Sequence, residues 1–309
     1  MKIYHSVDVF PNVDKPVLTT GTFDGVHLGH QTIISRINNI AKEINGESVL
    51  LTFFPHPRMV LHPLDHGLKL LNTPEEKAEQ LENAGLDHLI IQPFTPDFSK
   101  KSAIEYTRDL LVDKIQPAKI VVGYDHRFGK NREGSIKNLI EYGEMFNFQV
   151  EQISAQTIED VNISSTKIRK AIDSGDIKTA NHYLGYNYPI TGIVIEGDQI
   201  GKQLGYPTAN IQPPSNYKLL PANGVYAVKV KTGNSWLNGM LNIGVRPTVN
   251  NSGELKIEVN LFDFSGDLYK QELRVELLHR IRDEKKFNSL EELKLQLAVD
   301  QEQAVKMLK

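Results

Sequence analysis

The alternation of apolar runs with amphipathic segments in the first half of the chain restricts its fold most strongly. Strand-like "KPVLTT" is followed by "GHQTIISRINNIAKEI", in which Ile33, Ile37 and Ile40 share one helix face. The strand-like runs "ESVLLTFFP", "DHLIIQPF" and "AKIVVG" alternate with further helical segments in the same way. One of these, "TPEEKAEQLENAG", has a helix-start signature at Thr73 and Glu76. Such alternation predicts a parallel sheet covered by helices on both faces.

A second pattern begins near residue 185. The short β-rich segments "GVYAVKVKT", "SWLNGMLNIG", "ELKIEVNLFDF" and "ELRVELLHRI" are separated by turn residues, and no long helical pattern occurs before "SLEELKLQLAVDQEQAVKMLK". Closely spaced short strands predict an antiparallel sandwich or a small barrel, here with one C-terminal helix. We therefore predict an α/β chain with two domains: residues 1–184 with a parallel sheet, and residues 185–309 with a small antiparallel β-barrel and a C-terminal helix.

Composition narrows the class of protein. The formal net charge is −3, which gives no global field that attracts nucleic acid. The absence of cysteine excludes disulfides and thiolate metal sites and fits a reducing compartment. The N-terminal residues lack a signal-peptide pattern, and no apolar run approaches the roughly 18 residues of a membrane span. We expect a cytoplasmic protein without a membrane or nucleic-acid partner; its oligomeric state cannot be inferred from these features.

The motif "GTFDGVHLGHQ" places His27 and His30 where the first strand turns into the first helix. The first turn of a helix has unpaired N–H groups and a partial positive charge, so it suits a phosphate group. Two imidazole donors could stabilise charge on a phosphorus under attack, and Gly29 allows close approach. Asp24 could hold a metal or cap the turn. An isolated pair of this spacing is more often part of an ordinary polar loop, and a zinc site would need further ligands that the sequence does not place at metal spacing.

The whole motif resembles the signature of the HxGH nucleotidylyltransferase superfamily, which transfers a nucleoside monophosphate from a triphosphate and releases pyrophosphate. "ISSTKIR" resembles the second phosphate-binding motif of that superfamily, although a Ser/Thr run before a helix is usually only a cap. The resemblance implies a Rossmann-like parallel-sheet domain with His27 and His30 as catalytic residues. It also implies an ATP site formed by Gly21, Phe23, Asp24, Gly29, Ser164, Ser165, Thr166 and Arg169.

Two loops that follow predicted strands indicate which substrate accepts the nucleotide. "TFFPHPRMVL" and "VGYDHRFGKNREG" could be solvated surface, but both resemble the N-terminal module of the prokaryotic bifunctional riboflavin kinase/FAD synthetases. That module transfers AMP from ATP to FMN. The resemblance implies flavin contacts from His56, Arg58, Asp125 and Arg127. This chain has His126 where the family usually has phenylalanine.

The second domain carries "IGKQLGYPTANI", which is no P-loop because only three residues separate Gly197 from Gly201 and Gln203 replaces the required Ser/Thr. Without other signals it could be a glycine turn between strands. It resembles the riboflavin kinase signature, although Lys202 stands where arginine is expected. The resemblance implies that ATP phosphates are bound by Gly201, Lys202, Gly205, Pro207, Thr208 and Asn210. Thr208 and Asn210 would also hold the metal, and oxygen ligands of this kind suit Mg²⁺.

In "LKIEVNLFDF" the polar residues Lys256, Glu258 and Asn260 alternate with apolar ones and share one strand face. The pattern alone would fit an exposed sheet face. The resemblance implies that Glu258 is the general base acting on the ribityl 5′-hydroxyl of riboflavin, although Asn260 replaces an expected histidine. In "RDEKKF", Arg282 would contact the flavin or the nucleotide.

The sequence therefore favours a bifunctional enzyme that converts riboflavin to FMN and FMN to FAD, with ATP as co-substrate, FMN and FAD as products and Mg²⁺ as cofactor. One alternative is an adenylyltransferase for another acceptor. Another is an adenylyltransferase whose C-terminal domain is a non-catalytic flavin- or RNA-binding module.

Overall fold

A computed structural model describes residues 1–62, 67–154, 163–197, 200–233, 235–246 and 254–309, and only the backbone of Ile200, Lys202, Arg246 and Glu254. The chain divides into two compact units, Met1–Ser165 and Thr166–Lys309. No helix in the described ranges is long and apolar enough to cross a membrane.

The first unit is built on a six-stranded sheet in the order β1-β4-β3-β2-β5-β6. All of its neighbouring strands are parallel, which confirms the prediction from sequence. The order reverses at β2, which lies between β3 and β5, and ligands of such sheets bind beyond the strand ends at this switch point. The strands are β1 (Lys2–Tyr4), β2 (Val17–Thr20), β3 (Ser48–Phe54), β4 (His88–Pro93), β5 (Lys119–Gly123) and β6 (Gln149–Ile153).

Helices cover both faces of this sheet. Successive residues of the central strands enter opposite cores: Leu50 packs with Ile37 of the first helix, whereas Val49 packs with Leu110 and Leu139. This explains why these strands are apolar throughout. The helices are α1 (Leu28–Ile44), α2 (Pro57–Leu61), α3 (Pro74–Asn83), α4 (Ala103–Glu105), which continues as a π-helix over Tyr106–Ile115, and α5 (Ile136–Phe146).

The second unit contains a closed barrel in the order β10-β11-β8-β7-β12-β9. All neighbouring strands in it are antiparallel, and β9 closes the barrel by pairing with both β10 and β12. This confirms the small antiparallel barrel predicted for the second domain. Its strands are β7 (Tyr188–Ile195), β8 (Ala209–Gln212), β9 (Gly224–Thr232), β10 (Ser235–Arg246), β11 (Glu254–Leu261) and β12 (Glu272–Arg282).

Within the described ranges, four helices accompany the barrel: α6 (Ser165–Asp173), α7 (Ile177–Leu184), α8 (Ile200–Gln203) and the predicted C-terminal helix α9 (Leu290–Met307). The Asn181 side chain of α7 donates to the carbonyl of Leu277 at 2.8 Å and accepts from the amide of Tyr188 at 2.9 Å. These contacts tie α7 to β7 and β12. The domain boundary predicted at residues 184 and 185 stays a prediction.

Candidate active sites

The two motif histidines lie at the switch point of the sheet, between the end of β2 and the start of α1. His27 is the N-cap of α1, and its Nδ1 accepts from the backbone N–H of His30 at 3.4 Å. The turn before it is strained, because Phe23 and Val26 have φ angles of +46° and +35°. Strained backbone of this kind is concentrated at functional sites.

The rings of His27 and His30 stack with their centroids 3.7 Å apart, and Phe23 stacks on His30 at 4.6 Å. Burial lowers the pKa of His27 to about 4. Burial also lowers the pKa of His30 well below its usual value, assisted by the charges of His27 and Lys77. Both rings are therefore neutral near pH 7. Because Nδ1 of His27 accepts a hydrogen bond, its proton lies on Nε2, which can donate to a ligand.

Several side chains hold the turn that leads to these histidines. The carbonyl of Thr22 accepts from Thr52 Oγ1 at 3.1 Å and from Lys77 Nζ at 2.7 Å. Asp24 is buried, and its Oδ1 accepts from the backbone N–H of Leu71 at 2.9 Å. The Asp24 carboxylate therefore braces the turn, which is one of the two roles that its position in the sequence allowed.

The structure brings part of the second motif to the first. The hydroxyl of Ser165 donates to the backbone carbonyl of Asp24 at 2.9 Å. Gly21 lies against the same turn: a Cβ added to it would lie 3.1 Å from the ring of Phe23. Gly29 is buried in the first turn of α1. Ser164 directly precedes α6, whereas Thr166 and Arg169 lie in α6 and belong to the second unit.

A narrow recess beside the turn brings His56 into the neighbourhood of the first motif. His56 caps α2, with its Nδ1 accepting from the backbone N–H of Arg58 at 3.2 Å, while the Arg58 side chain is exposed. The recess contains Lys77, a residue that the motifs did not indicate. Its lining consists of Asp24, Thr52, Phe53, Phe54, His56, Leu70, Asn72, Pro74, Lys77 and Ile91.

The loop after β5 contains the predicted flavin contacts and the unusual His126, and their environments differ. Asp125 and Arg127 are exposed, whereas the ring of His126 stacks on Phe128 at a centroid distance of 5.6 Å. Burial lowers the pKa of His126 to about 4. Its Nε2 is buried and has no hydrogen-bond partner within the described ranges. The departure from the family pattern therefore introduces a neutral ring into the loop.

The second unit contains a cavity of about 720 Å³. Lys256, Glu258 and Asn260 line it, so this polar strand face does not face bulk solvent as a plain exposed sheet would. Four predicted residues meet at this cavity: Gly201, Thr208, Glu258 and Arg282. Helix α9 contributes Leu293, Leu297 and Asp300 to the same wall.

Glu258 lies between two amide side chains. In the barrel register it is opposite Asn242 of β10 and Asn210 of β8. Asn210 is buried and packs closely on Gly197: a Cβ atom added to Gly197 would overlap the side-chain amide of Asn210. Asn260 Nδ2 donates to the carbonyl of Pro207 at 2.7 Å, which ties β11 to the "PTAN" segment.

The glycine-rich segment before β8 folds back on itself. The carbonyl of Gly201 accepts from the backbone N–H groups of Leu204 at 3.1 Å and Tyr206 at 2.8 Å. A Cβ at Gly201 would collide with the Tyr206 carbonyl, and Gly205 has a φ of +86°, so both positions favour glycine. The Lys202 side chain and residues 247–249 of "NIGVRPTV" lie outside the described parts.

Arg282 is held by a partner that the motifs did not reveal. Its Nε and Nη2 donate to the Asp300 carboxylate at 2.9 and 2.7 Å, and Asp300 is fully buried. The guanidinium also lies 5.7 Å from the ring centre of Phe287. The signal for Asp300 was its spacing: with Leu293, Leu297 and Ala304 it falls on one face of α9.

The donors present at the barrel cavity fit Mg²⁺ better than a softer metal. No group of three or more His, Asp or Glu side chains that could hold a metal occurs in the described part of the chain. Thr208 and Asn210 instead offer neutral oxygens: Thr208 lines the cavity, and Asn210 of β8 pairs with Glu258 of β11, so these two side chains share one face of the sheet. Magnesium uses few protein ligands and keeps several waters when it bridges substrate phosphates.

Comparisons with known proteins cover both units. Residues 10–167 match the FAD synthetase family and residues 184–308 match the riboflavin kinase family. The bifunctional riboflavin kinase/FMN adenylyltransferase of Listeria monocytogenes is 37% identical over 97% of this chain and 95% of its own. That of Escherichia coli K12 is 36% identical over 92% and 90%. A crystal structure described as a macrolide-efflux protein from Streptococcus pneumoniae has a TM-score of 0.86 and 31% identity, over 97% of both chains.

Proposed function

The chain belongs to the family of bifunctional riboflavin kinase/FMN adenylyltransferases, and we propose that each of its two units holds one of the two active sites. The enzyme phosphorylates riboflavin with ATP to give FMN, and transfers AMP from ATP to FMN to give FAD and pyrophosphate. A non-catalytic C-terminal module is not favoured, because the second unit matches the riboflavin kinases over residues 184–308.

For the kinase reaction, the observation that carries the proposal is the position of Glu258 on the wall of the 720 Å³ cavity. Its carboxylate takes the proton of the ribityl 5′-hydroxyl as that oxygen attacks the γ-phosphorus of ATP, and ADP leaves. The flanking amides of Asn210 and Asn242 orient the carboxylate. Arg282, fixed by Asp300, presents a planar cation to the flavin or the nucleotide at the same cavity.

Thr208 and Asn210 would hold Mg²⁺ in this unit, where the ion would offset negative charge on the ATP phosphates. The glycine-rich turn from Gly201 to Gly205 would place backbone N–H groups and Lys202 beside the phosphates. Pro207 fixes the start of the segment, and its carbonyl is already bound by Asn260.

For adenylyl transfer, the phosphate oxygen of FMN attacks the α-phosphorus of ATP, and pyrophosphate leaves. The attacking oxygen is already ionised, so no general base is required. His27 and His30 donate hydrogen bonds to the charge that builds on the α-phosphate, together with the positive end of the 17-residue helix α1. Their neutral state leaves each ring one N–H to donate.

The substrate contacts of this unit follow from the same arrangement. Gly21, Phe23, Asp24 and Gly29 form the turn that receives ATP, and Ser164 and Ser165 are the part of the second phosphate-binding motif that lies in the same unit. His56 and Arg58 after β3, and Asp125 and Arg127 after β5, contact the flavin from the two strands that flank β2. The substrates are small molecules, and we place the enzyme in the cytoplasm with no nucleic-acid partner.

Chromatography of flavins tests both activities together. Purified protein is incubated with riboflavin, ATP and Mg²⁺, and samples are separated over time. We expect FMN to form first and FAD to follow, and both to stop when EDTA is added. A second incubation contains FMN in place of riboflavin. If only FMN is converted, the kinase assignment fails and the adenylyltransferase assignment stands; if neither flavin is converted, both assignments are refuted.

A further inference from the structure

We propose that Lys77 is a positioning residue for adenylyl transfer, whose ammonium group holds the turn that carries the histidine pair. The proposal rests on the assignment of adenylyl transfer to this unit. Lys77 Nζ donates to the Thr22 carbonyl at 2.7 Å, and the Lys77 side chain lines the recess shared by Asp24 and His56. Lys77 lies 47 positions after His30 in the chain, and no motif indicated it.

The turn needs such support because its backbone is unfavourable. Phe23 and the β-branched Val26 both have positive φ angles, and residues in this region keep their conformation only when their surroundings fix it. A charged donor forms a stronger hydrogen bond with a carbonyl than a neutral one does. The ammonium of Lys77 therefore fixes Thr22 more firmly than the hydroxyl of Thr52 can at 3.1 Å.

The position of Lys77 in α3 points to a function rather than to helix stability. The helix begins at Pro74 after the N-cap Thr73, with a complete capping box to Glu76, so Lys77 is its fourth residue. A cation near a helix N-terminus is disfavoured by the helix dipole. Burial also lowers the pKa of Lys77. Helix stability therefore does not explain a buried cation at this position, whereas its hydrogen bond to the motif turn does.

The charge of Lys77 also acts on the histidines. It lowers the pKa of His30, together with burial and the charge of His27, while Asp24 opposes the lowering of the pKa of Lys77 itself. Asp24 and His30 are the titratable groups whose charges interact with Lys77, and His56 lines the same recess. Lys77 thus supports a neutral His30 as well as the geometry of the turn.

The test compares Lys77→Met with the wild type in the full chain, measuring kcat and KM for FMN adenylylation and for riboflavin phosphorylation. We expect the adenylylation kcat to fall at least 10-fold and the kinase kcat to stay within twofold, because the kinase site lies in the other unit. Nuclear magnetic resonance of labelled histidine should show the pKa of His30 rising. Lys100→Met, whose side chain is 70% exposed, is the matched control and should change neither rate.

The outcomes separate this proposal from the assignment on which it rests. If the wild type makes no FAD from FMN, the assignment of the reaction fails. If the wild type does so and Lys77→Met stays within twofold of it, or loses activity only in proportion to its unfolded fraction, the positioning role is refuted. Should Lys77→Met fail to fold, Lys77→Gln keeps a donor without the charge, and an unchanged kcat and unchanged His30 pKa in that variant would refute the role equally.

Discussion

The stability of the first unit should fall as the pH falls from 6.5 to about 4, because His27 is held neutral in the folded chain. Its pKa is about 4 there and 6.5 in the unfolded chain. Between these values the unfolded chain binds a proton that the folded chain does not, so acidification favours unfolding. The full difference corresponds to about 3 kcal/mol. Between pH 7 and pH 5 the contribution of His27 is about 2 kcal/mol.

The variant His27→Asn isolates this contribution, because asparagine keeps an N-cap acceptor for α1 and does not titrate. Burial depresses the pKa of His30 and His126 as well, so both forms should lose stability in acid, the wild type by the larger amount. The measurement is amide hydrogen exchange of peptides from β2 and α1 at pH 7 and pH 5, corrected for intrinsic rates. From pH 7 to pH 5, the wild type should lose about 20-fold more protection than the variant.

The fluorescence of Trp236, the single tryptophan, supplies the control. It lies in β10 of the second unit, so its urea midpoint should be the same in wild type and variant at each pH. An equal loss of protection in both forms would refute the argument that burial keeps His27 neutral. So would a difference of the opposite sign.

Two further substitutions test the packing behind the sites. Gly129→Ala should destabilise the first unit by about 2 kcal/mol or more, because Gly129 has a φ of +73° and the new Cβ would lie 2.7 Å from the backbone of Ala103. Hydrogen exchange of β5 peptides would measure this loss of stability, and unchanged protection would contradict the prediction. Asp300→Asn should destabilise the barrel by about 3 kcal/mol, because it leaves Arg282 without its buried carboxylate partner. The urea transition followed by Trp236 fluorescence would measure this effect, and an unchanged midpoint would contradict the prediction.

The sequence predicted the elements whose residues follow a clear period. The buried strands Val17–Thr20 and Ser48–Phe54 and the capped helix Pro74–Asn83 are confirmed, with the capping box of Thr73 and Glu76 in place. Strand Lys2–Tyr4 was not predicted, because three residues are too few to show a period. The segment over Tyr106–Ile115 is π-helical, and this type of hydrogen bonding has no period that the sequence reveals.

For the candidate sites, too, the sequence predicted what depends on local spacing and not what depends on contacts between distant segments. The neighbouring positions of His27 and His30, and the common strand face of Glu258 and Asn260, follow from spacing alone. The lowered pKa of His27 results from burial by the rest of the fold, and spacing does not contain it. Contacts such as Lys77 with Thr22 and Arg282 with Asp300 join distant segments. The strand pattern also allowed a sandwich, and the predicted barrel is confirmed by the pairing of β9 with both β10 and β12.

The central claim is that one chain contains two separate active sites, and crossed single-site variants test it most directly. Glu258→Gln and His30→Ala are each supplied with ATP and Mg²⁺ and either riboflavin or FMN, and the flavins are separated by chromatography. We predict that Glu258→Gln loses at least 100-fold in FMN formation and still converts FMN to FAD, and that His30→Ala accumulates FMN without forming FAD. Loss of both activities in either folded variant would contradict the account.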